Sequence, residues 1–177
     1  MRIYTRRGDD GTTGLFHGGR VAKNSDGPEA YGTVDEAVSC LGVARAQGDA
    51  ETARAILEVQ RSLFVVAAEL ATDPARRDRL EPGVSSVEAS MVKHLEDRID
   101  AIEADVGMPT EFVVPGGDPV AAALDVARTV VRRAERAAVG YLADHPESLV
   151  VPYLNRLADY PYMLARAIER EWTPTRG

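Results

Sequence analysis

The chain has 177 residues, of which 45% are hydrophobic and 28% charged, and its formal net charge is −7. This length and composition are typical of one globular domain with a sizeable core. The acidic balance argues against a nucleic-acid-binding protein and against docking on an anionic membrane, although a local basic cluster can still bind a small anion.

The first predicted unit is a glycine-rich arm, residues 1–30, which contains the run TRRGDDGTTGLFHGGR. We expect a loop or extended segment that is mobile unless a ligand binds it, because ordering glycine is costly in entropy. Its backbone N–H groups, threonine hydroxyls and basic side chains could bind an anion, and Asp9 and Asp10 could meet Mg²⁺. The arm is not a P-loop, because no Gly-Lys-Ser/Thr follows the glycines.

Helical patterns occupy the rest of the chain. Thr33 and Glu36 fit a capping box and predict the start of the first helix, and a second apolar stripe predicts a helix over about residues 51–71. Residues 73–83 are charged, contain two prolines and read as a solvated linker.

Three more helices are predicted after this linker. A second capping box at Ser85 opens the third helix, and Asp118 followed by Pro119 caps a fourth that runs to about residue 143. The fifth spans about residues 152–171. The pattern therefore predicts an all-α protein, a single domain with a helical bundle over residues 31–171.

The fourth helix carries an unusual cluster of arginines. Arg128, Arg132 and Glu135 are spaced so that they share one face of the helix. Two arginines four residues apart repel each other by roughly 0.2–0.5 kcal/mol on a bare helix, so something must offset the repulsion. One interpretation is a solvated face with two i, i+3 acidic pairs, Asp125 with Arg128 and Arg132 with Glu135. The other is a polyphosphate, whose oxygens match the planar guanidinium.

The fifth helix has its own polar line, formed by Asn155, Asp159, Tyr162 and Arg166. Pro161 lies within this helix, where proline removes a hydrogen bond and costs about 3 kcal/mol. The proline predicts either a kink or a different helix boundary.

Taken together, several segments in this order resemble the PduO-type ATP:cob(I)alamin adenosyltransferases. They are YTRRGDDGTTGL, RVAKNS, EAYGTVDEAVSCLG, FVVPGG, ARTVVRRAER and YLNRLADY, and they extend from the first residues to about Arg166. The combination is specific, although each segment alone is not.

The resemblance implies a five-helix bundle that assembles as a homotrimer with active sites between subunits. It implies an enzyme that transfers the 5′-deoxyadenosyl group of ATP to the cobalt of cob(I)alamin, with triphosphate as leaving group and Mg²⁺ accompanying the nucleotide. A Co(II) reductase and an adenosylcobalamin-dependent mutase are the implied protein partners, and neither nucleic acid nor a membrane is expected.

The resemblance also assigns roles to residues. Asp35 and Arg128 match a pair that forms a salt bridge across the subunit interface, and Arg132 is the candidate clamp on the triphosphate; we treat these three as the catalytic group. Phe112 matches the aromatic under the corrin, and Tyr162 lies on the side of the fifth helix that would meet the corrin. The expected ATP-binding residues are Thr5, Arg6, Arg7, Gly8, Asp9, Gly11, Thr12, Thr13, Lys23, Arg132, Glu135, Arg136 and Asn155.

Two alternative functions stay open from the sequence. The first is a non-catalytic module of the same fold that binds or delivers ATP or adenosylcobalamin, and the fifth-helix departures from the family pattern keep it open: Ala158, Pro161 and Tyr162. Arg7 also departs from the family pattern, in the arm. The second is a purely structural bundle.

The cellular location and the metal content are predicted from two features of the sequence, its cysteine count and its lack of a long apolar run. The single cysteine, Cys40, excludes an internal disulfide and a multi-cysteine metal site, and no apolar run approaches the ~20 residues that span a bilayer. The simplest prediction is a cytoplasmic protein.

Overall fold

The computed structural model describes residues 3–176 and is mostly helical, with one small sheet. Helices α1 (Asp26–Gln47), α2 (Ala50–Leu70), α3 (Ala89–Val106), α4 (Pro119–Tyr141) and α5 (Val150–Glu169) follow two short strands, β1 (Thr12–Gly14) and β2 (Arg20–Ala22). A 3-10 helix, Pro74–Arg79, lies between α2 and α3. No described helix has both the length and the hydropathy needed to cross a bilayer.

The core forms where the apolar faces of the long helices meet. Helix α1 packs on α4 and α2, and α5 packs on α4 and α3. Leu41, Leu63, Leu124 and Leu154 come from α1, α2, α4 and α5, and each is at most 1% exposed. Burying each leucine contributes about 1.5–3 kcal/mol, so this shared core fixes how α4 and α5 lie against each other.

The arm is a hairpin, which corrects the expectation of a loop or extended segment. Strands β1 and β2 are antiparallel, with Thr12 opposite Ala22 and Gly14 opposite Arg20. The tip of the hairpin joins the end of α2, where the Phe16 amide donates to the Ala71 carbonyl at 2.8 Å. The side chains of a short hairpin alternate between its two faces and show no helical period, so the helical pattern of the sequence did not predict the hairpin.

The predicted start of the first helix is wrong. Helix α1 begins at Asp26, and Thr33 is buried inside it with its hydroxyl donating to the Glu29 carbonyl at 2.7 Å. Gly27 and Pro28 do not prevent the earlier start, because the first four N–H groups of a helix have no partner within it. The predicted arm therefore includes the first turn of α1.

The remaining helix boundaries show where a local capping residue sets the start of a helix and where it does not. Asp118 caps α4 as predicted, since its side chain accepts from the amides of Val120 and Ala121. The predicted cap at Ser85 is wrong, because α3 begins at Ala89 and the Ser85 hydroxyl instead accepts from the Glu81 amide. Helix α5 is continuous through Pro161.

Candidate functional site

The candidate site on the helices is the exposed edge where α4 and α5 lie side by side. Asn155 of α5 donates from Nδ2 to Glu135 Oε1 of α4 at 2.9 Å. The Asn155 side-chain oxygen in turn accepts from Arg156 at 2.5 Å, and Arg156 also pairs with Glu96 of α3 at 3.0 Å. This chain of hydrogen bonds fixes Glu135 and Asn155, two predicted ATP-binding residues, against each other.

The arginines of α4 differ in what they contact. Arg128 Nε lies 3.4 Å from the carboxylate of Asp125, and Arg133 pairs with Glu36 of α1. Arg132 is exposed, and within residues 3–176 its guanidinium has no ion pair. Its carbonyl accepts from Arg136 Nη1 at 3.0 Å. Of the two i, i+3 pairs of the solvated-face interpretation, Asp125 with Arg128 is formed, and Arg132 with Glu135 is not formed among the described residues.

Asp159, one turn of α5 beyond Asn155, faces this same edge. Partial burial raises the pKa of its carboxyl, and the nearby Arg156 and Arg132 guanidinium groups oppose the increase. Arg132 lies close enough to Asp159 to act on its pKa, yet the two form no ion pair within 4 Å among the described residues.

The arm presents a second polar cluster, arranged around Thr12 and Arg20. Arg20 donates from Nη2 to the Thr12 hydroxyl and to the Arg7 carbonyl, both at 2.6 Å. Asp10 accepts from the amide and the hydroxyl of Thr12, and these two hydrogen bonds lower the pKa of its carboxyl. Sequence reasoning missed Asp10 and Arg20 as organisers of the arm, because their roles depend on the hairpin register.

Lys23 and Gly8 are brought together by the same hairpin. The Lys23 amide donates to the Gly11 carbonyl at 2.9 Å, and a Cβ on Gly8 would lie 3.0 Å from Lys23 Nζ. Glycine at position 8 thus lets a cationic side chain approach the arm backbone. Thr5, Arg6, Arg7 and Asp9 are exposed around this point. These residues can supply several donors to an anionic ligand.

The structure brings the predicted site residues into two groups in one chain. Among residues 3–176, no hydrogen bond or ion pair joins the arm residues 5–13 to the α4 arginines. Asp35 is exposed on α1 and has no ion pair with Arg128 in the described chain. Within the described residues the two groups are therefore not joined by a direct polar contact.

The two predicted corrin-contacting residues have different surroundings. Phe112 is 85% exposed in the loop between α3 and α4. Tyr162 lies between two arginines, with its ring centre 5.9 Å from Arg128 Cζ and 5.1 Å from Arg166 Cζ. An exposed phenylalanine on a loop is available to cover an apolar ligand, because burying it removes its ring from water.

No resident metal centre is evident from the side chains. Within the described part of the chain, no group of three or more His, Cys, Asp or Glu residues is placed to hold a metal ion. Asp9 and Asp10, the candidate Mg²⁺ contacts, are exposed on the arm.

Sequence reasoning missed a second set of charged contacts. Arg77 was expected in a solvated linker, but it pairs with the buried Glu69 at 3.0 Å. Arg166 was grouped with the polar line of α5, yet it is fully buried and binds Asp125 at 2.5 Å. The helical spacing of Arg166 from Tyr162 correctly placed it on α5, but no neighbouring residue in the sequence indicated that Asp125 of α4 is its partner.

Comparisons with known proteins identify what the chain resembles. A family model described as cobalamin adenosyltransferase matches residues 3–168. The corrinoid adenosyltransferase of Mycobacterium tuberculosis is 41% identical over 98% of this chain and 93% of that protein. That of Citrobacter freundii is 41% identical over 95% of each chain.

Solved structures agree with this relationship. A variant PduO-type ATP:corrinoid adenosyltransferase from Lactobacillus reuteri, complexed with cobalamin and ATP, matches with a TM-score of 0.88 at 32% identity, over 99% of this chain and 97% of the other. A second variant of that protein, complexed with ATP, matches with a TM-score of 0.85 at 31% identity, over 98% of this chain and 100% of the other.

Proposed function

The chain belongs to the cobalamin adenosyltransferase family, and we propose that it transfers the 5′-deoxyadenosyl group of ATP to the cobalt of cob(I)alamin. The products are adenosylcobalamin and triphosphate. The observation that carries this proposal in the structure is the exposed Arg132 guanidinium, which has no ion pair among the described residues and lies one helical turn from Glu135, the acceptor of the Asn155 hydrogen bond. This edge offers a free planar cation to an anionic leaving group, and the fixed amide–carboxylate pair offers polar contacts to a nucleoside.

The reaction requires the protein to position the two substrates and to stabilise developing charge, and it requires no general base. The Co(I) electron pair attacks the ribose C5′ of ATP, a Co–C bond forms, and the C5′–O bond breaks as triphosphate leaves. Arg132 stabilises the charge that develops on the triphosphate, and MgATP is the form of the nucleotide that binds. A preorganised cation of this kind contributes several kcal/mol to lowering the barrier.

Phe112 has a role on the corrin side of the reaction. Its exposed ring covers the lower face of the cobalt, excludes water and disfavours an axial ligand, which makes reduction of Co(II) to Co(I) easier. The solved neighbours include a variant in which a phenylalanine of that protein is replaced and a variant in which an arginine is replaced. Both residue types are therefore informative positions to test in this chain.

The active site is shared between subunits of a homotrimer. The proposal is consistent with the lack of direct polar contacts between the arm and the α4 arginines within residues 3–176, because a neighbouring subunit can supply the group that one chain does not bring into contact. Arg128 then forms a salt bridge with Asp35 of the partner subunit, and Tyr162 contacts the corrin beside it. A Co(II) reductase supplies the substrate, and a mutase receives the product in the cytoplasm.

The test follows the visible spectrum of the purified protein with chemically reduced cob(I)alamin and MgATP under anaerobic conditions. We expect conversion to adenosylcobalamin, and a loss of roughly 100-fold or more in kcat for Arg132→Ala, the effect typical of removing one transition-state donor. Arg79→Ala, which removes an exposed arginine of the 3-10 helix, is the matched control. If ATP binds by calorimetry but no cobalamin is converted, the chain is the non-catalytic binding module instead.

A further inference from the structure

The buried charge of Arg166 is unusual for a helix that only packs. The side chain is 0% exposed, and Nη2 donates to Asp125 Oδ2 at 2.5 Å and lies 3.1 Å from Glu169 Oε2. Its Nε and Nη1 atoms find no hydrogen-bond partner among the described residues. Burying a guanidinium with unmet donors is costly, and apolar residues of the same volume are often at least as stabilising. The side chain therefore needs an explanation beyond packing.

One branch of contacts leads from Arg166 to the α4 arginine face. Asp125 accepts from Arg166 through Oδ2, and its other oxygen lies 3.4 Å from Arg128 Nε. The ring of Tyr162 lies between the two guanidinium groups. Arg128 thus contacts a buried carboxylate and an aromatic ring that Arg166 also contacts.

A second branch leads from Arg166 to the loop that carries Phe112. Glu169 accepts from the Gly117 amide through Oε1 at 3.0 Å, and its other carboxylate oxygen is the one that faces Arg166. A Cβ on Gly117 would lie 3.1 Å from the same carboxylate oxygen, so the loop backbone approaches Glu169 closely.

The C-terminal segment after α5 holds the other end of this loop. Trp172 donates from its indole nitrogen to the Arg166 carbonyl at 3.0 Å. The segment that follows pairs with the loop: the Val114 amide donates to the Thr173 carbonyl at 2.8 Å, and the Thr175 amide donates to the Phe112 carbonyl at 2.9 Å. The exposed Phe112 ring therefore projects from backbone that is fixed on both sides by the end of α5.

We propose that Arg166 is a positioning residue, which fixes the Phe112 loop relative to Arg128 through Glu169 on one side and Asp125 on the other. This inference rests on the proposed function of Phe112 and Arg128. Both carboxylates are reached by one nitrogen, Nη2, which lies at the end of a side chain longer than that of lysine, so lysine does not bring its ammonium to the same point. This positioning matters for catalysis because a mutation far from the reacting atoms can lower the rate roughly 100-fold when it displaces a site residue by about 1 Å.

The experiment compares Arg166→Lys with Arg170→Lys, a control on the same helix end whose exposed side chain lies 3.5 Å from Asp105. Hydrogen exchange of residues 112–117 and the fluorescence of Trp172, the single tryptophan, report on the loop without any turnover. We expect faster exchange and a red-shifted emission in Arg166→Lys alone. With cob(I)alamin and MgATP, we expect kcat to fall by about 10- to 100-fold, while KM for ATP changes less than about twofold.

A second variant covers the case in which Arg166→Lys does not fold. Glu169→Ala cuts the branch to the loop and leaves the Arg166–Asp125 pair, so exchange over residues 112–117 rises while the α4 side of the site is unchanged. Unchanged exchange in folded protein, or an equal rise in Arg170→Lys, would overturn the proposal. If the unmodified protein fails to convert cob(I)alamin, the proposed function fails, but the exchange and fluorescence results still decide whether Arg166 couples the two elements.

Discussion

Replacement of Glu69 by alanine tests how the end of α2 is joined to the rest of the chain. Glu69 is 2% exposed, and three donors converge on its carboxylate. Arg77 Nη2 and the Ser148 hydroxyl bind Oε1 at 3.0 and 2.6 Å, and the Val87 amide binds Oε2 at 2.7 Å. These donors come from the 3-10 helix, from the turn before α5 and from the segment before α3. One carboxylate therefore ties three connections to α2.

The expected magnitude follows from what the variant leaves behind. Removing the carboxylate leaves the Arg77 guanidinium, whose side chain is 14% exposed, with only the 3.7 Å contact to Glu147, and leaves the Val87 amide without an acceptor. Breaking a buried pair by deleting one partner costs about 3–5 kcal/mol. For a chain of this length each kcal/mol lowers Tm by roughly 2–4 °C, so we expect a decrease of about 6–20 °C.

The assay is thermal unfolding followed by circular dichroism at one fixed protein concentration, because self-association makes Tm depend on concentration. Glu58→Ala is the matched control, since its side chain is 47% exposed and its pair with Arg98 spans 3.6 Å. An exposed pair contributes about 0–1 kcal/mol, so the control changes Tm by no more than about 4 °C. If the two variants lower Tm equally, the three donors do not stabilise the fold as argued.

Two further predictions separate function from stability. Phe112→Ala removes an 85% exposed ring, so Tm stays within about 2 °C while the rate of adenosylcobalamin formation falls at least tenfold; an equal loss of both would show that the ring packs rather than binds. Burial raises the pKa of Tyr153 to about 12. Its hydroxyl stays neutral in the folded state while the unfolded chain ionises near pH 10, so stability falls as pH rises from about 10 to 12. Tyr153→Phe removes that part of the alkaline loss, which denaturant unfolding at pH 8 and pH 11 measures; an unchanged difference between the two pH values would contradict the assignment.

The helices that the sequence predicts well are those whose ends are set by local contacts. Asp118 and Pro119 cap α4 because the aspartate reaches amides two and three residues ahead, and this geometry depends on no other part of the chain. Thr33 and Glu36 make an equally good local signal, but α1 extends past them to Asp26. A Cβ on Gly27 would lie 3.1 Å from the Tyr141 ring, so the first turn is packed closely against the end of α4. Tertiary packing outweighs the local cap there.

In the candidate site, too, some features could be predicted from the sequence and others could not. Helical spacing correctly placed Arg128, Arg132 and Glu135 on neighbouring turns, and the family resemblance is confirmed. Spacing could not decide which partner each charge takes, because Glu135 binds Asn155 on another helix. The hairpin register that joins Arg20 to Thr12 was likewise invisible to a helical period. The roles of the individual ATP- and corrin-contacting residues remain predictions.

The distribution of charge explains how an acidic chain can present a site for a polyanion. The formal net charge is −7, yet two carboxylates beside the α4 arginines, Asp125 and Glu135, accept from donors on α5, and Asp159 forms no ion pair with Arg132 among the described residues. Asp125 binds the buried Arg166, and Glu135 accepts from Asn155. Neither neutralises Arg132, so this guanidinium keeps its charge and its hydrogen-bond donors for a ligand. Because salt at 0.1 M largely screens exposed charges that are more than about 10 Å apart, these local pairings outweigh the global balance in deciding what the site attracts.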